Sequence, residues 1–367
     1  MQIARIDVFA HELTSATGDF TFSRDRVQGT ESSTLVRITT DDGREGWGEA
    51  CPLTGTYLPS FTGGVRAALE VLAPALIGAD PRNLGAVNAR MDALLLGQPG
   101  ARSPLDVACW DLLGQDAGLP LSTLLGGTVA TALPLYLAIP MGSADETAER
   151  VDAGVGRGFH RFQLKVGDDP RRDAESVRAA LDVAGEDGIV IADANGGWPL
   201  ADALRAVRLL EDLPIHLEQP CRTFTECLHV RRATALPMVY DEVVTDAATL
   251  IAAVHEGGAS VINLKLAKVG GLTGARRLRD LAVSLGAAVT IEDTWGGDVA
   301  TAAVSHLAAS TPPAALFSVS FLNDATVQHI AGHLPRSIAG SGSAPTGAGL
   351  GITVRAAGLG VPLMSFR

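Results

Sequence analysis

Eight short β-rich runs, alternating with Ala/Leu/Arg segments of helical length, fill the chain from residue 134 to 320 and limit its fold more than any other feature. They read PLYLAIP (134–140), FQLKV (162–166), IVIADAN (189–195), IHLEQP (215–220), MVYDE (238–242), VINLKLAK (261–268), AVTIEDTW (288–295) and LFSVS (316–320). Strands that alternate with helices pair in parallel, since a parallel neighbour is reached only through a crossover. Eight such units suit a (β/α) barrel better than an open doubly wound sheet, which more often has five or six strands.

The flanks differ. Thr34 to Thr40 is rich in β-branched residues, Asp42-Gly43 is a turn signal, and Gly46-Trp47-Gly48-Glu49 returns as the second strand of a hairpin. Ser103-Pro104-Leu105-Asp106 reads as a helix start, with apolar positions following at Cys109, Leu112 and Leu113. Residues 339–351 are Gly/Ser/Pro-rich and form a tail that leaves the barrel. The expected layout is an α+β module over 1–128, the barrel over 129–325, and a segment over 326–367 that returns to the first module.

Composition excludes several partners. A net charge of 29 − 41 = −12, without a cluster of Lys or Arg, lacks the basic footprint of a nucleic-acid or anionic-membrane binder. No run of about 18 apolar residues suggests a membrane span, and the N-terminus has no apolar signal core, so a cytoplasmic location is expected. Cys51, Cys109, Cys221 and Cys227 form no C-x-x-C pair and read as ordinary reduced thiols.

Barrel enzymes place their chemistry at the C-terminal ends of the strands, where five consecutive runs here carry a charge: Lys165, Asp193, Glu218, Asp241 and Lys265. Asp193, Glu218 and Asp241 advance one unit at a time (218 − 193 = 25, 241 − 218 = 23), so the three carboxylates converge at one mouth. A hard divalent cation relieves their repulsion, and Mg²⁺ suits a few carboxylates with positions left for substrate and water. Lys165 and Lys265 flank the triad one unit before and one unit after it. A lysine near a cation in a dry cavity loses its proton more readily and can act as a general base. Lys268, just before Gly270-Gly271, reads as a surface charge. These parts suit removal of an α-proton from a metal-chelated carboxylate substrate, one lysine abstracting and the other returning a proton or assisting a leaving group.

At these residues the chain resembles the enolase superfamily in its muconate-lactonizing and mandelate-racemase-like branch. The ordered motifs are Gln163-Leu164-Lys165, Asp193-Ala194-Asn195, Glu218-Gln219-Pro220, Asp241-Glu242 and Lys265. The resemblance implies a (β/α)₇β TIM-like barrel with an α+β capping domain, Mg²⁺ on Asp193, Glu218 and Asp241, and catalysis by Lys165 and Lys265. It also implies two loops, around 15–30 and 51–62, that close over the substrate, and a symmetric homo-oligomer. Two departures narrow the branch: Gln163 replaces a frequent first lysine of Lys-x-Lys, and the seventh strand offers no His. Ser318-Val319-Ser320 lacks the Asp-x-Asp by which dipeptide epimerases of this scaffold hold an ammonium.

Within the branch, segments 46–61, 162–169, 218–224, 262–275 and 291–298 look most like the cis-3-hydroxy-L-proline dehydratases, and next like the proline-betaine epimerases. The first resemblance implies loss of the 3-hydroxyl to an enamine that tautomerises to Δ1-pyrroline-2-carboxylate, with either lysine as base. A racemase or 2-epimerase of a proline derivative and a catalytically silent acid-binding barrel are the competing expectations. Gln163 and Asn195 are expected to line the substrate site. Tyr57 and Trp295 are weighed between ammonium-facing aromatics and packing residues. Asp293 and Glu292 are alternative partners for a substrate ammonium; strand alternation turns only one of them inward and leaves open which, with Asp293 carried as the candidate contact.

Overall fold

The computed structural model describes residues 1–24 and 26–367. Eight parallel strands form one curled sheet: Leu137–Ile139, Arg161–Lys165, Ile189–Asp193, Ile215–Glu218, Met238–Tyr240, Ala259–Lys265, Ala288–Glu292 and Leu316–Val319. We number them barrel strands 1 to 8. Each strand pairs with its sequence neighbours, and the Tyr136 amide donates to the Val319 carbonyl at 3.1 Å, joining the first run to the last. Seven helices lie between the eight strands, from Ala144–Gly156 to Asp298–Ala309. The architecture is the expected (β/α)₇β barrel.

Alternation along the strands explains why this sequence takes that form. Val190, Ala192, Leu217, Ile262, Leu264, Val289 and Ile291 are buried in the main apolar core. The positions between them are polar and also buried: Gln163, Asp193, Glu218, Asn263, Lys265, Thr290, Glu292 and Ser318. With successive side chains on opposite faces, one face of the sheet builds the core while the other brings polar groups into the barrel.

The N-terminal strands Ile3–Thr14, Thr30–Thr40 and Glu45–Ala50 form an antiparallel sheet, to which Met364–Phe366 adds by pairing with Ile6, Asp7 and Val8. Its apolar face packs on the helices Thr62–Leu76 and Pro99–Ala117 through Ile6, Val36, Ile38, Leu69, Leu105 and Leu112. The second helix begins at Pro99, four residues before Ser103, correcting the expected start. Gln98 precedes it in a left-handed conformation with φ 53°, and Pro99 supplies the first-turn proline. Pro104 lies inside the helix, where its carbonyl is approached by the returning strand. A Cβ on Gly48 would stand 1.9 Å from that oxygen, so only glycine fits there.

Buried carboxylates tie this module to the barrel. Glu49 accepts from Ser33 Oγ at 2.8 Å, from the Gly297 amide at 2.8 Å and from the Ala300 amide at 3.0 Å, satisfying donors at the start of the helix after strand 7. Asp106 accepts from the Thr273 amide at 2.9 Å and hydroxyl at 2.6 Å. Asp111 accepts from the amides of Trp47 and Leu350 at 3.1 and 2.8 Å. Glu49→Ala strands these donors in a dry interface and is expected to cost about 2 kcal/mol, read as a lower urea midpoint at unchanged slope.

His306 is fully buried in the last barrel helix, its Nδ1 accepting from the Ser122 amide at 3.2 Å and its Nε2 lying 3.1 Å from the Leu350 carbonyl. That pairing requires the neutral Nε2–H form. Burial pulls the imidazole down from 6.5 to about 4, so the unfolded chain binds the extra proton between those values. The stabilisation is therefore complete above about 6.5 and is lost as the pH falls towards 4, by about 3 kcal/mol in all. Urea midpoints measured from pH 7 to pH 4 are expected to fall more steeply in the wild type than in His306→Gln.

Candidate active site

Parallel register sets the five strand-end charges at one level. Lys165 pairs in register with Asp193, Asp193 with Glu218, and Lys265 with Glu292. Asp241 follows the last residue of strand 5, and its amide donates to Gln219 Oε1 at 3.2 Å, which links the ends of strands 4 and 5. Asn195 and Gln219 turn the chain at φ 45° and 35° just beyond strands 3 and 4. These left-handed positions, uncommon for residues other than glycine, end two strands directly at the acid cluster.

The three acids are completely or almost completely buried and carry different partners. Lys165 Nζ donates to Asp193 Oδ2 at 2.6 Å and to Gln163 Oε1 at 2.9 Å. Glu218 accepts from Gln163 Nε2 at 3.0 Å and from Asn263 Nδ2 at 2.5 Å. Asp241 accepts from Lys265, from Tyr57 Oη at 2.8 Å and from Lys268 Nζ at 2.7 Å. Burial, with the charges of Asp193 and Asp241 added, pushes the Glu218 carboxyl well above its ordinary range. Burial also acts on Asp241, but Lys265 and Lys268 outweigh it and hold that carboxyl below its ordinary range.

Lys268 is not a surface charge. The chain leaves strand 6 in a 3₁₀ turn over Ala267–Val269 that folds the side chain back under the barrel mouth, leaving it 6% exposed. Its ammonium donates to Asp241 Oδ1, to the Asp241 carbonyl at 2.6 Å and to the Asn263 carbonyl at 3.2 Å, so all three N–H groups are used. Removing one partner of a buried pair leaves the other uncompensated. Lys268→Met is expected to cost about 3–5 kcal/mol in chemical denaturation, with Lys268→Arg recovering part of it.

A cavity of about 440 Å³ opens above these groups, bordered by Lys165, Lys265, Gln163, Asn195, Tyr57 and Trp295. Both expected closing loops reach it. Thr17, Phe20 and Phe22 come from the first, and Leu53 and Tyr57 from the second. Asp25, within the first loop, lies outside the described residues. Phe22 packs edge-on against Tyr57 with ring centroids 6.0 Å apart, and Lys265 Nζ lies 5.0 Å from the Tyr57 centroid. The Trp295 indole N–H has no partner among the described residues.

The structure turns Glu292 inward. It lies 3.2 Å from Lys265 Nζ, and Tyr136 Oη donates to its other oxygen. Asp293 borders the same cavity, but its Oδ1 accepts from the amides of Ala267 and Thr294 at 2.9 and 2.7 Å. Burial, against those two donors, pushes its carboxyl up to about 7. Tyr136 and Asn263 were absent from the expected site, where Glu292 stood only as the alternative to Asp293. Parity gives part of the signal, because Asn263 and Lys265 are two apart on one strand, as are Gln163 and Lys165.

A divalent cation can be tested against this donor set. Among the described residues, no three acidic, His or Cys side chains are drawn together as ligands, because each acid is turned towards lysine or amide donors. The donors are nonetheless hard carboxylate oxygens on three consecutive strands, close enough for Asp193 and Asp241 to oppose ionisation of Glu218. Glu242 Oε2 and Asn195 Oδ1, beside them in sequence, are buried oxygens without a partner among the described residues. The chemistry fits a hard cation.

Comparison with known proteins agrees with this fold. Residues 6–126 match the mandelate racemase / muconate lactonizing enzyme N-terminal domain, and residues 144–358 match the enolase C-terminal domain-like family. The chain belongs to the enolase superfamily, in its mandelate racemase and muconate lactonizing branch. It is 43% identical over 366 residues, all of both chains, to the cis-3-hydroxy-L-proline dehydratase of Roseibium aggregatum. Muconate cycloisomerase 1 of Pseudomonas putida is 31% identical over 312 residues, 83% of each chain. A mandelate racemase/muconate lactonizing enzyme from Roseovarius nubinhibens, solved with magnesium, superposes over all of both chains with a TM-score of 0.96 at 36% identity. Among the described residues, no helix is long and apolar enough to cross a membrane.

Proposed function

We propose that the protein dehydrates cis-3-hydroxy-L-proline to Δ1-pyrroline-2-carboxylate with the help of Mg²⁺. The observation that carries this reading is the pair Lys165 and Lys265, brought from strands 2 and 6 to one cavity above three carboxylates. Full-length likeness to the Roseibium aggregatum dehydratase supports the choice of substrate. Asp193, Glu218 and Asp241 would hold the cation, which supplies positive charge where negative charge builds on the substrate carboxylate as the α-proton leaves.

The chain's own residues then divide the work. One lysine removes the proton from the α-carbon. The other, as an ammonium, donates a proton to the departing 3-hydroxyl, so that one water leaves and a carbon–carbon double bond forms beside the ring nitrogen. The enamine tautomerises to the cyclic imine. Gln163, which bridges Lys165 to Glu218, keeps that lysine aligned through its amide, a task a second lysine at this position could not perform as an acceptor. Tyr57, Phe22 and Trp295 narrow the mouth and exclude water.

The test is a proton NMR time course in D₂O with Mg²⁺, offering cis-3-hydroxy-L-proline, L-proline and proline betaine in parallel. Conversion of the hydroxylated substrate to the pyrroline product is the expected result. α-Deuteration of L-proline or proline betaine without water loss would instead make the protein a racemase or 2-epimerase using the same lysines. Lys165→Ala and Lys265→Ala are each expected to lower turnover by about 10³-fold or more, and EDTA to abolish it until Mg²⁺ is restored. Retained turnover in both lysine variants would overturn the assignment.

A further inference from the structure

The cavity has two electrically distinct walls. Asp193, Glu218 and Asp241 stand at the ends of strands 3, 4 and 5, whereas Glu292 ends strand 7 and Tyr136 precedes strand 1, which closes against strand 8. Lys165 on strand 2 and Lys265 on strand 6 lie between these walls. A molecule whose carboxylate faces the triad therefore reaches, beyond the lysines, towards Glu292.

Four carboxylates border the cavity among the described residues: Asp19, Glu292, Asp293 and Asp324. Asp19 is exposed at the rim. Asp324 is paired with His333 at 2.9 Å, and Asp293 is committed to two backbone amides through Oδ1. Glu292 alone of the four is both buried and inward on a barrel strand. Its Oε1 is 3.4 Å from Asn263 Nδ2 and 3.2 Å from Lys265 Nζ, and its Oε2 takes the Tyr136 hydroxyl. A carboxylate has about four lone-pair positions, so these donors fix its orientation and leave it able to accept from a further cation.

We propose that Glu292, oriented by Tyr136 and Asn263, is the binding site for the cationic ring nitrogen of a zwitterionic α-amino acid. This deepens the proposed function, on whose placement of the substrate carboxylate at the triad it rests. The site selects substrates with two opposite charges one carbon apart, and it places the α-carbon between the two lysines. It supplies on strand 7 an anion that the Ser318-Val319-Ser320 segment of strand 8 does not offer.

The experiment compares two ligands of equal ring size by titration calorimetry at saturating Mg²⁺: L-proline, and (S)-tetrahydrofuran-2-carboxylate, whose ring oxygen carries no charge. The wild type is expected to bind L-proline at least tenfold more tightly, and Glu292→Gln to reduce that ratio to within twofold. Tyr136→Phe, which deletes one hydroxyl, is expected to lower the ratio about threefold while the fold is monitored by circular dichroism. An unchanged ratio in folded Glu292→Gln, or in folded Tyr136→Phe should the first variant not fold, would overturn the proposal. So would a wild type that does not prefer L-proline. Dehydration of cis-3-hydroxy-L-proline is followed separately. A collapse of the ratio without dehydration would uphold the nitrogen site while rejecting the dehydratase reading.

Discussion

Opposite charges buried together at the barrel mouth are the constraint on which the rest of this structure depends. Three carboxylates brought within mutual repulsion would not remain ionised in a dry cavity without compensation. Lys165, Lys265 and Lys268 supply it, each bonded to one of these acids. The first two lysines also border the cavity and are available to a substrate, while the third is spent entirely on Asp241 and a neighbouring carbonyl. One cluster thus combines a fixed structural charge with two charges that can be redirected. That division lets the same residues stabilise the resting protein and, in the proposed reaction, move protons.

Holding such a cluster needs a scaffold that does not relax around it. The barrel supplies strand ends at one level, and the capping module is fastened to it by Glu49 and Asp106 and to the segment after the barrel by Asp111, each buried and each accepting backbone donors. Carboxylates used in this way neutralise the exposed amides at helix and strand ends, where an apolar contact would leave them unpaired. The module also contributes directly to the mouth through Tyr57, whose hydroxyl reaches Asp241 across the two units. Binding site and domain contact are therefore parts of one network.

The barrel and its acid cluster were legible in the sequence because both follow from periodicity: repeated strand and helix segments, with a charge closing each run. Asp193, Glu218 and Asp241 needed only their spacing of one unit. Features that depend on how the chain leaves a strand were not legible. Lys268 seemed to lie past the strand, but a 3₁₀ turn brings it back beneath Asp241. The choice between Glu292 and Asp293 needed the register of strand 7 against Lys265, which a single strand read alone does not contain. The helix start at Pro99 was missed because Pro104 carries the same first-turn signal.

The final strand has a consequence for the order of assembly. Met364–Phe366 pairs with Ile6, Asp7 and Val8, so the sheet that supports both closing loops remains a strand short until the segment beyond the barrel has been synthesised. All eight barrel strands are available by Val319, well before that edge is filled. A nascent chain can thus acquire its lysines and carboxylates while the cover above them still lacks its outermost support. Two segments separated by the whole barrel, Ile6–Val8 and Met364–Phe366, are sealed side by side, and the edge they complete depends on residues synthesised after all eight barrel strands.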